Sequence, residues 1–200
     1  MDSRLEQLER VLPHRLGAVD AMRVAMRLRR KWKTLRPMQI FVDGKLAVEG
    51  NTGAFVNPAI EAGLLHARAL LEFMGFQLVP RSSTELRNIT TRRRGDVYIG
   101  SFTTHSGPLP SVTKAELVAR YPGSAGEREE AFATVLYIAN KSLAHSTEDF
   151  LRSDSQADAA YCASGQLRGL LEQHFYARLN LEFPASPVGV RPRMPSSSTV

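Results

Sequence analysis

The chain has 200 residues, of which 43% are hydrophobic, enough for one domain with its own core. A single cysteine, Cys162, excludes an internal disulfide framework and fits a reducing compartment. The net charge is +6, and 21 of the 26 basic residues are arginine. That balance accommodates RNA or another polyanion as partner, or simply reflects an arginine-rich base composition.

Neither a signal-peptide pattern nor an apolar run of about 20 residues is found, so no membrane association and a cytoplasmic location are expected.

A first amphipathic helix is expected over 13–35, opened by Pro13. Val24, Leu28, Trp32 and Leu35 fall on one stripe, and Arg23, Arg27 and Arg30 on another. From Arg23 to Arg36 there are seven basic residues and no acid. Next, Ile40-Phe41-Val42 and Leu46-Ala47-Val48 flank Asp43-Gly44. This reads either as a small β-hairpin near 39–49 or as a loop with hydrophobic anchors.

The strongest helical pattern covers 58–75, with Asn57 as cap, Pro58 in the first turn and Gly75 at the exit. Its circumference is apolar except for a stripe of Glu61, Arg68 and Glu72, which predicts a central position.

Arg92-Arg93-Arg94-Gly95 reads as an exposed turn, and 96–102 as a short strand or a helix start. Gly107, Pro108 and Pro110 mark a loop. Thr113 and Glu116 have capping-box spacing and open a short helix to about Tyr121, and Gly123 to Gly126 reads as a linker. A helix follows over 127–147, with Ala131, Phe132, Val135, Leu136, Ile138, Ala139 and Leu143 inward. A last helix over 156–182 turns Leu167, Leu170, Leu171, Phe175 and Leu181 inward. Residues 184–200 read as a disordered Pro/Ser-rich tail on a single helical domain, 1–183. The expected fold is all-α, a bundle of five or six helices with at most one hairpin. The helices at 58–75 and 127–147 form its expected central pair.

Phosphate-binding glycine loops, paired cysteines with metal spacing and nucleophile elbows are missing, so no cofactor and no metal are expected. His174 falls in an apolar arc and reads as a core histidine. His66 also lies on an apolar side, where an imidazole needs a hydrogen-bond partner. His145 lies at the edge of an apolar face with Lys141 one turn back. It reads either as a helix cap or as a general base in an anion site. Glu61, Arg68 and Glu72 form either an intrahelical charge network or a polar edge that turns Arg68 towards His145.

The segment from Asn57 to Phe73, with Glu61, His66 and Arg68, resembles a motif of a family of uncharacterised bacterial helical proteins. The segment from Ile138 to Thr147, with Asn140, Lys141 and His145, resembles that family's second motif. Asp96 to Phe102 resembles a weaker piece between them. The likeness covers about residues 57–182 and carries no function, and Ser146 stands where the pattern has an apolar residue. More distantly the chain resembles HEPN domains, helical bundles that often act as ribonucleases or RNA-binding modules. Their active site pairs an arginine with a histidine shortly after it. Arg168 and His174 have that spacing, but they project about 120° apart on a helix. Before His145 stands Lys141 in place of the arginine.

Three functions follow as expectations. One is an RNA-associated module of a defence or toxin–antitoxin type, with Arg23, Arg27, Arg30, Arg92, Arg93 and Arg94 on phosphates. Another is a ribonuclease-type enzyme with His145 as base, Arg68 or Lys141 on the phosphate, and Glu61 orienting Arg68. The last is a non-enzymatic interaction or scaffold domain, in which His66, Asn140 and the other motif residues form a structural network. A homodimer is compatible with each.

Overall fold

Leu8, Leu12, Leu16, Val19, Met22 and Met26 recur three or four residues apart, and all are buried. They run along α1 (Ser3–Trp32) of a computed structural model that describes residues 3–119, 123–141 and 154–188. The helix passes through Pro13 instead of starting there. An interior proline forgoes a backbone hydrogen bond. The upstream Leu8 and Leu12 continue the spacing of Leu16 and offset that loss. The buried stripe is therefore not the expected one. Val24, Leu28 and Trp32 are only half-buried, and Leu35, beyond the helix end, is 69% exposed.

The hairpin forms. Strand β1 (Pro37–Val42) pairs antiparallel with β2 (Lys45–Asn51), with Val42 opposite Lys45. Asp43 and Gly44 have φ of 51° and 74°, the left-handed pair that a two-residue hairpin turn requires. A bulge between Ile40 and Phe41 shifts the register, and Phe41, Val42, Leu46 and Val48 stay exposed. The hairpin base is tied to α1's exit. Thr52 donates its backbone N–H to the Arg36 carbonyl at 2.8 Å, and its Oγ1 accepts the Arg36 N–H at 3.1 Å.

Helix α2 (Gly53–Met74) starts five residues before the expected point, with Pro58 inside it. Asn51, not Asn57, caps it: its Oδ1 accepts the N–H groups of Gly53 and Ala54 at 2.9 and 3.2 Å. Gly75 closes it in the left-handed conformation, φ 106°, as expected. The helix packs most extensively on α1. Gly63 lies in their contact, where an added Cβ would collide with Met22 and stand 2.9 Å from the Ala18 carbonyl.

Two small sheets depart from the expected all-α bundle. Strand β3 (Phe76–Leu78) pairs with β4 (Leu86–Asn88), and β5 (Thr103–Thr104) with β6 (Gly107–Pro108). Between them, Ile99–Ser101 make one 3-10 turn inside the segment left open between strand and helix. Helix α3 (Lys114–Ala119) opens on the expected capping box: Glu116 accepts the Thr113 N–H at 2.8 Å, and Thr113 Oγ1 accepts the Glu116 N–H at 3.2 Å. A second box, Ser124 with Glu127, opens α4 (Ala125–Lys141) inside the supposed linker. Lys114 and Glu129 are ion-paired at 2.8 Å. Between them they take the Leu86 carbonyl and N–H, holding β4 to the helices.

Helix α5 (Asp154–Leu171) runs into a π turn (Glu172–Tyr176) and a 3-10 turn (Ala177–Leu179), ending at Asn180. The following segment folds back. Arg168 pairs with Asp20 at 2.9 Å, donates to the Pro184 carbonyl and lies over the Phe183 ring. Ser186 donates to Asp20, and Pro187 sits on Gly17. Ser186 and Pro187 of the expected tail thus lie against α1.

The protein is mostly helical, with five α-helices and three two-stranded sheets among the described residues. One continuous core joins α1, α2, α4 and α5. The expected central pair is modified, because α2's main partner is α1 and α4's is α5. Phe73, Phe102 and Phe175 meet with centroids 5.2–6.4 Å apart and bridge α2, the short-sheet region and the π turn. Each such ring removes a large apolar area from water and contributes roughly 1.5–3 kcal/mol.

Candidate functional site

The polar residues of α2 do not point one way. Glu61 is exposed. Arg68 bonds Glu72 at 2.8 Å, one turn on, and not Glu61. Arg92 reaches back to the Glu72 carbonyl at 3.1 Å and stacks over Tyr98, 4.4 Å from its centroid. His66 faces α1: its ring meets that of His14 at 5.1 Å, near right angles. Its Nδ1 is shielded and has no hydrogen-bond partner among the described residues. Burial, and then the charges of Arg15 and His14, hold His66 below the ordinary histidine pKa. His174 is buried in the π turn.

On α4, Asn140 is half-buried and Lys141 is exposed at the last described turn. No hydrogen bond or ion pair among the described residues joins either to Glu61, His66 or Arg68. His145 lies outside the described residues.

The expected arginine stripe on α1 divides in two. Arg23 lies over the Tyr161 ring at 4.2 Å from its centroid and donates to the Tyr161 carbonyl. Gly165 leaves room for that guanidinium, since a Cβ there would collide with it. Arg30 forms an ion pair with Asp158. Both side chains therefore engage α5, whereas Arg27 stays exposed. The second basic cluster divides likewise. Arg92 turns inward, while Arg93 and Arg94 are exposed on a turn where Asp96 accepts the Arg93 N–H at 2.9 Å.

What the arginine stripe missed is the end of α1. Arg29, Lys31, Lys33 and Arg36 are all exposed there. Arg29 and Lys33 line two adjoining clefts. The larger, about 570 Å³, lies between α1, α2 and the start of α5, and its wall includes Arg30, Ile60, Asp154 and Asp158. The smaller, about 220 Å³, sits at the hairpin base with Trp32, Leu35, Thr52, Val56 and Asn57. The unbroken run of cations was the signal. Which of its members reach a cleft depends on where α1 ends and on the hairpin after it.

Cations in a last helical turn also complement the helix dipole, which explains Arg29, Arg30 and Lys31 without a ligand. It does not account for Lys33 and Arg36, which lie past the helix. Arg29 and Lys33, which line both clefts, can each bond a phosphate oxygen.

The chain matches no protein family, no curated protein and no solved structure. No helix of the described residues is long and apolar enough to cross a membrane.

Proposed function

We propose that this domain is an RNA-associated module that grips the phosphate backbone at the end of α1, around Arg29 and Lys33. The observation that carries the reading is the sharing of those two cations by both clefts, with Arg36 exposed three residues past Lys33. A polyanion laid there meets Arg29 and Lys33 at the junction of the two clefts. Arg93 and Arg94 offer a second, smaller patch.

The polar motif on α2 takes a structural role in this reading. His66 packs at the α1–α2 contact, and Arg68 and Glu72 neutralise one another on the helix surface. No chemical step is assigned to them.

Binding through phosphates releases counterions, so affinity falls steeply with salt. Anisotropy of a labelled RNA stem-loop, titrated with protein at several salt concentrations, tests this. The expected result is tight binding at low salt and a linear loss in log–log form. The slope should be smaller in magnitude by about 2 in Arg29→Ala/Lys33→Ala, about one per phosphate contact. Absence of binding at low salt, or binding indifferent to salt, would overturn the reading.

A further inference from the structure

The smaller cleft contains more than a phosphate can use. Trp32, Leu35 and Val56 give it an apolar wall, and Trp32 is half-buried, so one part of the indole is held and another remains accessible. Asn57 is exposed at its rim and carries an amide that both donates and accepts. Thr52, also in the wall, is fixed by its two hydrogen bonds with Arg36, so the hairpin base is a built edge of the cleft. Arg29 and Lys33 stand where this cleft joins the larger one. The arrangement therefore offers a flat apolar surface, a hydrogen-bonding rim and adjoining cations.

A nucleobase with its own phosphates matches those three features. It has two apolar faces, a hydrogen-bonding edge and an anion on either side. Duplex nucleic acid keeps its bases stacked inside and offers only its backbone, whereas an unpaired strand can turn a base outward onto an aromatic wall. Inorganic polyphosphate would satisfy Arg29 and Lys33 and leave the Trp32 wall unused.

We infer that the cleft at the hairpin base takes one unstacked base of a single-stranded nucleic acid, against Trp32 and with its flanking phosphates on Arg29 and Lys33. The inference rests on the RNA reading above and names its substrate class as single-stranded.

Trp32 is the chain's one tryptophan, so its emission reports this cleft alone. The full chain is titrated at low salt with three probes: a single-stranded oligoribonucleotide of about eight nucleotides, a duplex of equal length, and inorganic polyphosphate. Trp32 emission is read alongside anisotropy of the labelled nucleic acids. The single strand is expected to quench Trp32 and to bind more tightly than the duplex, while polyphosphate binds without quenching. Trp32→Ala should weaken single-strand binding by about 5- to 150-fold, the range for loss of one base–aromatic stack. Trp32→Phe, which keeps an aromatic wall, should hold most of the preference over duplex.

Equal affinity for single strand and duplex with Trp32 emission unchanged would overturn this inference and leave the phosphate-binding reading intact. Equal quenching by polyphosphate would overturn it as well. No binding of any probe at low salt would overturn both.

Discussion

His14 and His66 meet edge to face across the α1–α2 contact, with centroids 5.1 Å apart and planes at 85°. His66 is held below the ordinary value of 6.5 by burial first, then by Arg15 and His14. The unfolded chain therefore takes up a proton at this site at a higher pH than the folded one. Stability should be full above the ordinary histidine range and fall as pH drops through it, because acid favours the state that binds more protons. Urea midpoints measured from pH 8 to pH 5 check this. The fall should become shallower in His66→Leu, and an unchanged slope in that variant would remove His66 from the account.

Gly63 is a helix-interior glycine whose replacement by alanine would ordinarily stabilise by about 1 kcal/mol. Here the added Cβ would meet Met22 and the Ala18 carbonyl. Overpacking of this kind costs about 1–3 kcal/mol. Gly63→Ala should therefore lower the urea midpoint. Gly126→Ala, which meets nothing within 4 Å, should not lower it.

Arg23 and Arg29 lie on one helix, within one unbroken basic run, but have different surroundings. Arg23→Ala removes the stack on Tyr161 and the bond to its carbonyl, and should cost about 1–2 kcal/mol of stability. It should leave RNA affinity close to that of the parent. Arg29→Ala should behave in the opposite way, with stability within about 0.5 kcal/mol and a weaker, less salt-dependent complex. Thermal melts and anisotropy on the two variants separate these roles. The assignment fails if both variants change the same property.

Much of the local structure was legible. The Gly75 exit and the Thr113–Glu116 box were read directly, and the Asp43-Gly44 turn as one of two alternatives, because each depends on residues only a few positions apart. The Ser124–Glu127 box carried the same spacing, but the glycines beside it made the segment look like a linker. Helix starts were read too late wherever a proline lay nearby. Pro13 and Pro58 stand inside α1 and α2, since packing of the upstream residues outweighs the missing hydrogen bond.

The candidate site was legible as a run of charge, not as a set of residues. By itself the sequence determined that cations without acids fill 23–36, and it offered a hairpin after them as one of two readings. Only the tertiary structure decided that Arg23 and Arg30 turn to Tyr161 and Asp158, more than a hundred positions away. The same packing left Arg29 and Lys33 on two clefts. The reason is physical: α1 has apolar residues on more than one stripe, and the face it buries is chosen by the helices that pack on it. That choice, and not the local pattern, sets which charges remain in water.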